Sequence, residues 1–318
     1  MQRFTSIAAL TAMLLTAAAC GSDPVDTGAT STTVAATSAP SDTSAGGTAS
    51  PDSVTPDTVD PKLPKAIVSL SPSATEMLFA IGAGAQVLAV DDQSNFPAGA
   101  LTKEHDLSGF EPNVEAIAKL KPDLVVMSDT KIKDQLTSLG ITVWVGAAPT
   151  SFDDVYSQIE QLGAATGHVG GAAEVVSKMQ TDIKAAVAGV KAPATPISVY
   201  HELDNTFYSV TSNTFIGKVY SLFGLKNIAD GAQPGNDYPQ LNAEYIVKAN
   251  PDLVVLADSK CCAQNADVVA ARPGWSAIKA VVNKGVIAVD DDIASRWGPR
   301  IVDFVKVVAD ALAKVPAA

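Results

Sequence analysis

Across 318 residues, 34 acidic side chains stand against 22 basic ones, for a formal net charge of -12 at pH 7. An acidic chain without a basic run is unsuited to the phosphate backbone of a nucleic acid. The only cysteines are Cys20, Cys261 and Cys262; with no Cys-x-x-Cys pair, they exclude a zinc ribbon and a multi-disulfide scaffold.

The chain opens on the basic residue Arg3 and an apolar stretch from Ile7 to Ala19, broken only by Thr11 and Thr16. That stretch is too short for a comfortable membrane span and ends in small residues, so residues 1–19 read as a secretory signal. Ala17-Ala18-Ala19-Cys20 resembles a bacterial lipobox, in which the thiol is acylated and the cysteine becomes the new N-terminus. Lipidation of Cys20 would anchor the chain outside the cell membrane, whereas ordinary cleavage near Ala19 would release it. Residues 21–62 hold no aromatic residue, Leu or Ile. Such a segment cannot bury enough apolar surface to offset its chain entropy. Residues 20–62 therefore read as a tether reaching roughly 35–40 Å on average, or as a glycosylated stalk.

The body from residue 63 onward is large enough for two medium domains. Within it, Asn113–Asp129 (NVEAIAKLKPDLVVMSD) and Asn242–Asp258 (NAEYIVKANPDLVVLAD) match at ten of seventeen positions. Each copy predicts an Asn-capped helix, a Pro-Asp break and a buried Leu-Val-Val strand. Two copies imply two lobes of one build, over 63–168 and 193–318. Around the first copy, strands are expected at Ala66–Leu70, Gln86–Val90 and Ile141–Val145. A helix opening on a Ser73–Glu76 capping box should follow the first of these. Around the second, strands are expected at Ile197–Tyr200 and Val286–Val289, with a helix begun by Thr211-Ser212-Asn213 and bearing Phe215, Val219 and Leu222 on one face. This alternation predicts an α/β fold with parallel sheets covered by helices.

Between the lobes, over 169–192, Val175, Met179, Ile183 and Val187 recur every four residues, which predicts one long connecting helix of about 30 Å. Two lobes joined by a rod leave a cleft, and ligands of open α/β sheets bind beyond the carboxyl ends of the strands.

Val68-Ser69-Leu70-Ser71-Pro72-Ser73-Ala74-Thr75-Glu76, the first repeat copy, and Trp297-Gly298-Pro299-Arg300 follow one another in the order found in the cobalamin- and siderophore-binding proteins of ABC importers, which the chain resembles over most of 66–315. The resemblance implies two Rossmann-like lobes with parallel sheets, a helical backbone, small hinge motion, no catalysis and no intrinsic cofactor. It implies a monomer that captures a metal chelate, a corrinoid or ferric siderophore with haem behind them, and delivers it to an ABC permease dimer and its ATPase. It assigns Glu115 and Glu244, which fall at one register of the repeat, to permease docking; as plain residues they are solvated carboxylates at helix N-termini. It brings Phe110, Phe207, Asp292 and Arg296 to the ligand, the aromatics as a sandwich. Core packing for the two Phe residues, and a helical ion pair for Asp292 and Arg296, stay open. Gln93 and Ser128 stand where the cobalamin binders carry aromatics.

Tyr200-His201-Glu202 follows an expected strand end, so Tyr200 and His201 are expected at the cleft. There His201 would meet a chelate or its metal centre, or serve as a polar rim residue. Cys261 and Cys262 follow the second repeat strand and would form a vicinal disulfide at the rim. Tyr238-Pro239 and Asn95-Phe96-Pro97 would add rim contacts or pack their loops. No GxSxG, HExxH, P-loop or strand-borne GxGxxG is present, and His105, His168 and His201 lie far apart. The remaining alternatives are a surface chelate-binding or sensing module without a permease, and a nitrogenase-like cluster protein or chelatase.

Overall fold

The computed structural model describes residues 63–191 and 195–314. The expected signal, the lipidation site Cys20 and the tether lie outside the described residues.

Lobe one contains β1 (Ile67–Leu70), α1 (Pro72–Ala80), β2 (Val87–Asp91), β3 (Glu104–Leu107), α2 (Val114–Lys119), β4 (Leu124–Met127), α3 (Lys133–Ser138), β5 (Thr142–Val145) and α4 (Phe152–Thr166). Its strands are all parallel, in the order β3-β2-β1-β4-β5. β1 and β4 are buried along their whole length, as central parallel strands with both faces covered must be. The edge strand β3 was not foreseen because Glu104, His105 and Asp106 are exposed and only Leu107 turns inward. The capping box expected between Ser73 and Glu76 does not form. Ser71 is the cap instead, its hydroxyl accepting from the Ala74 amide, because Pro72 already occupies the first helical position.

α5 (Val169–Ala188) leads into lobe two: β6 (Ser198–Glu202), α6 (Phe215–Ser221), β7 (Lys226–Asn227), α7 (Ala243–Ala249), β8 (Leu253–Leu256), α8 (Ala266–Ala270), α9 (Lys279–Val282), β9 (Val286–Ala288), α10 (Asp291–Ser295) and α11 (Ile301–Leu312). The order β7-β6-β8-β9, again all parallel, reproduces β2-β1-β4-β5 of lobe one. The repeat accounts for this likeness residue by residue. Asn113 and Asn242 cap α2 and α7. Asp123 and Asp252 follow the helices and accept from backbone amides at the starts of β1 and β6, of Ala66 and Ser198 respectively. Each aspartate thus ties the repeat strand to the central strand beside it. α6 starts later than expected, with Thr214 rather than Thr211 as the cap.

The lobes do not have separate cores. The largest apolar cluster runs from Ile67, Leu78 and Val126 of lobe one through Met179 and Ile183 of α5 and Phe304 of α11 to Val199 and Val255 of lobe two. The outer sheet faces carry smaller clusters, around Ile117 and Leu136 in one lobe and around Tyr200, Ile246 and Trp275 in the other. α5 buries Ala172, Val176, Met179 and Ile183, with Val175 and Val187 at the margin. It comes so close to α1 that a Cβ at Gly171 would fall 2.2 Å from the carbonyl oxygen of Ile81.

Gly171→Ala should therefore force α5 away from α1 and destabilise the fold by about 1–3 kcal/mol. Gly170→Ala, where an added Cβ meets nothing within 4 Å, should be neutral or mildly stabilising. Urea denaturation of both variants checks this pair of expectations, and equal effects would refute the close approach.

Candidate ligand-binding cleft

The carboxyl ends of the two sheets meet through one ion-pair network. In lobe one, Thr75 shares hydroxyl hydrogen bonds with Ser69 and Ser94, both 2.8 Å, and so pins the loop after β2 to α1. That loop presents Gln93 and Asn95 to lobe two. Arg296, just after α10, donates to the Gln93 carbonyl (2.9 Å), the Asn95 side-chain oxygen (2.9 Å), Asp292 (2.7 Å) and Glu76 (3.1 Å). The Asn95 amide in turn donates to Asp292 at 3.0 Å. Arg300 makes a two-point contact with Glu76, whose side chain is 1% exposed. Phe96 lies over the Arg300 guanidinium at 4.1 Å. Asp292 and Arg296, expected to touch ligand, are engaged here in the contacts that join the lobes.

A second network lies at the carboxyl end of β6 in lobe two. Glu202 ends β6 fully buried, and Arg272 donates to both its carboxylate oxygens at 2.6 and 2.5 Å. Gln264 accepts from the outer edge of the same guanidinium at 2.7 Å. The Arg272 guanidinium carbon lies 4.6 Å from the Trp275 ring centroid and 5.4 Å from that of Phe207, and those rings stack with centroids 5.9 Å apart. Phe207 holds a φ of +70, a left-handed conformation uncommon for a bulky side chain. Its amide donates to the Asp204 carbonyl, and its own carbonyl accepts from the Leu241 amide. These bonds keep the ring half-buried at the wall.

Asp258, the last residue of the second repeat copy, is fully buried beside Glu202 with neither carboxylate oxygen hydrogen-bonded in the protein. Burial, and then the Glu202 charge, raise its pKa to about 7. Arg272 pairs with Glu202, and Asp258 has no cation of its own among the described residues. In lobe one, burial raises Asp91 at the end of β2 to about 6, against the lowering effect of amide hydrogen bonds.

The expectation for Tyr200 and His201 is corrected. β6 runs two residues past the expected end, to Glu202, so both side chains point into opposite faces of the lobe interior and are fully buried. His201 donates to or accepts from the Tyr220 hydroxyl at 2.6 Å and packs on Phe304, and burial lowers its pKa to about 3. A neutral, sealed imidazole neither lines the rim nor reaches a chelate. Phe110 by contrast is 74% exposed in the loop after β3. Glu115 and Glu244 are exposed in the first turns of α2 and α7. Cys261 and Cys262 are joined by a disulfide, with Cys261 exposed. Glu76, Glu202, Arg272 and Trp275 were missed as site residues. Only Asp258 carried a signal, as the shared last residue of the repeat.

The family described as periplasmic binding protein matches residues 67–293. The chain belongs to the periplasmic binding protein family. It is 34% identical over 265 residues to the uncharacterized ABC transporter substrate-binding lipoprotein YvrC of Bacillus subtilis, covering 79% of this chain and 81% of that protein. It is 32% identical over 258 residues to a cobalamin-binding protein of Halobacterium salinarum, with 78% and 69% covered. The solved haem-binding protein HutB of Vibrio cholerae superposes with a TM-score of 0.69 at 25% identity, over 79% of this chain and 99% of that one. The two parallel-sheet lobes are thus the architecture of this family of binding proteins.

The raised pKa of Asp258 has a measurable consequence. In the unfolded chain the carboxyl loses its proton near 3.8, and in the folded chain near 7. Folding therefore loses stability as pH rises through that window, and the loss persists above it. Asp258→Asn removes the titration, so the variant's stability relative to wild type should grow between pH 4 and pH 8, by a few kcal/mol at most. Thermal denaturation across that range checks it; a difference that is flat with pH would mean that Asp258 is not the titrating group.

Proposed function

We propose that the chain is the substrate-binding component of an ABC importer, held outside the cell membrane by a lipid on Cys20, and that it captures a flat metal macrocycle, a corrinoid first, between its lobes. The observation that carries this reading is the placement of one accessible aromatic on each lobe. Phe110 follows β3, and Phe207 follows β6 with Trp275 and Arg272 stacked behind it. Rings from both sides suit a broad, largely apolar face, while the loops around them bear the exposed polar groups Asn95 and Tyr238 for peripheral amides. An acidic protein is poorly matched to a strongly anionic catecholate chelate. The cobalamin-binding relative supports the corrinoid, and the haem-binding structural neighbour makes haem the competitor to test. The naming of a substrate-binding lipoprotein among the relatives supports the anchor and the importer.

Delivery would use Glu115 and Glu244. They sit at the same place on repeated helices, α2 and α7, and so present two equivalent carboxylates to a permease dimer and its ATPase. Exposed charges of this kind orient an encounter more than they hold it.

Binding is tested by titrating the chain with cyanocobalamin, haemin and ferrichrome while tryptophan emission is followed. Saturable binding of cyanocobalamin, weakened about 10- to 100-fold by Phe110→Ala or Phe207→Ala with little change in melting temperature, is expected. Binding of haemin or ferrichrome alone would replace the corrinoid, and binding of none would remove the chelate reading. Glu115→Lys with Glu244→Lys should abolish uptake of the bound ligand by cells carrying the permease. The dissociation constant should stay within about twofold, and an equal loss of affinity would take these residues away from docking.

A further inference from the structure

The Cys261–Cys262 disulfide has no obvious duty as a staple. A crosslink stabilises chiefly by shortening the loops open to the unfolded chain, and the gain grows with the length of chain enclosed. Neighbouring residues enclose the least, so a structural role is disfavoured from the outset.

Its surroundings point elsewhere. The disulfide lies in the turn after β8, at the carboxyl end of the sheet, where Cys261 is exposed and Cys262 half-buried. The amides of Lys260 and Cys261 donate to the Asp291 carboxylate at 3.0 and 2.9 Å. The amides of Cys262 and Gln264 donate to the Asp258 carbonyl at 3.2 and 3.4 Å. Between them Ala263 takes a φ of +54, a left-handed conformation in a residue that is not glycine. The Gln264 side chain, nearly buried, donates to the Cys262 carbonyl at 2.9 Å and accepts from Arg272 at 2.7 Å. Arg272 holds Glu202 and backs Phe207. In the other direction, Lys260 pairs with Asp290 at 2.7 Å and with Asp292 at 3.2 Å, and Asp292 holds Arg296. The disulfide turn therefore touches both the wall of lobe two and the network that joins the lobes.

We propose that Cys261–Cys262 is a thiol–disulfide exchange site for an extracytoplasmic dithiol reductant, and that its oxidation state sets how firmly the Phe207 wall is held. A thiolate of the reductant attacks the exposed Cys261 sulfur, the bond between the cysteines breaks, and Cys262 leaves as a thiolate and takes up a proton. The second thiol of the reductant then displaces Cys261 from the mixed disulfide. The reductant departs oxidised as its own disulfide, and the chain gains two electrons and two protons as two thiols. Unbonded sulfurs must part to van der Waals contact, so the peptide between them turns. The Cys262 carbonyl turns with it, Gln264 loses its anchor, and Arg272 loses the partner on its outer edge. The oxidised chain is the firm, binding-ready form, and the reduced chain has a loosened wall.

The consequence for affinity rests on Phe207 contacting ligand, whereas the structural consequence does not, and the test separates them. Purified full-length chain is compared before and after dithiothreitol, and after reoxidation, by thiol labelling and by amide hydrogen exchange with mass spectrometry. Labelling should appear at both cysteines. Exchange should quicken severalfold in 258–275 and also in 203–209 and at Leu241, whose amide bonds the Phe207 carbonyl, and reoxidation should restore both. Cys261→Ser with Cys262→Ser should exchange like the reduced chain, ignore dithiothreitol and melt within a few degrees of wild type. Cyanocobalamin and haemin affinity should fall severalfold in the reduced chain. Cysteines that resist dithiothreitol in the folded chain, or quickened exchange confined to 260–263, would overturn the proposal. Lost protection at the wall with no binding of either probe in either state would keep the exchange site and remove the chelate reading.

Discussion

Glu76 carries a charge almost wholly out of water, which is tenable only because two guanidinium groups close on it. A buried carboxylate costs several kcal/mol unless it is paired and hydrogen-bonded. Here the carboxylate rides on α1 of lobe one, while Arg296 and Arg300 come from the segment between α10 and α11. This pairing ties the two lobes to one another. A wide opening would leave Glu76 buried and unpaired, or strip Arg296 from the loop after β2. The apolar cluster that runs through α5 and α11 adds the same constraint from the other side, since separation of the lobes would expose it. The relative placement of the lobes is thus held from two sides, by the ion pairs and by the shared apolar cluster.

Lobe two solves a harder electrostatic problem than lobe one. Glu202 ends β6 and Asp258 lies two residues beyond β8; both are buried, and the Arg272 guanidinium pairs with Glu202 alone. Burial and the Glu202 charge raise the pKa of Asp258, which eases the cost of a second buried carboxyl without a cation of its own. Arg272 also lies over the Trp275 and Phe207 rings, which ties the position of these aromatics to the ion pair. A charge change at Glu202, Asp258 or Gln264 would therefore be felt at the half-buried Phe207 ring, although all three are buried.

Where signals were local, the sequence was legible. An Asn cap, a Pro-Asp break and a Leu-Val-Val run each act within a few residues, and their recurrence disclosed two lobes with matching strand order. The repeat also put Glu115 and Glu244 at one register, while their docking role was implied by the family resemblance alone. Long-range pairing left no such trace: 220 residues separate Glu76 from Arg296, and Glu76 read equally well as a helix cap. The mistake at His201 was one of strand length. Tyr-His-Glu looks like a polar exit from a strand, but in the folded lobe the imidazole finds Tyr220, and the carboxylate finds Arg272. Once those partners exist, two more polar residues can continue β6 into the interior.

The repeat also shows where the two lobes diverged. At the helix that follows the Asn cap the copies stayed alike, with Glu115 and Glu244 both exposed in a first turn. At the far end of the same repeat they parted. Asp129 remains partly exposed and pairs with Lys131 at 3.3 Å, while its counterpart Asp258 is sealed under the lobe-two wall beside the cysteine turn. A surface that meets a twofold partner is held to equivalence on both lobes, because each half must fit the same receptor chemistry. A cleft that encloses a ligand without twofold symmetry is under no such constraint, and each wall is free to acquire its own side chains. Symmetry at the Glu end and asymmetry at the Asp end are what one duplicated unit would show if its two ends served these two different partners.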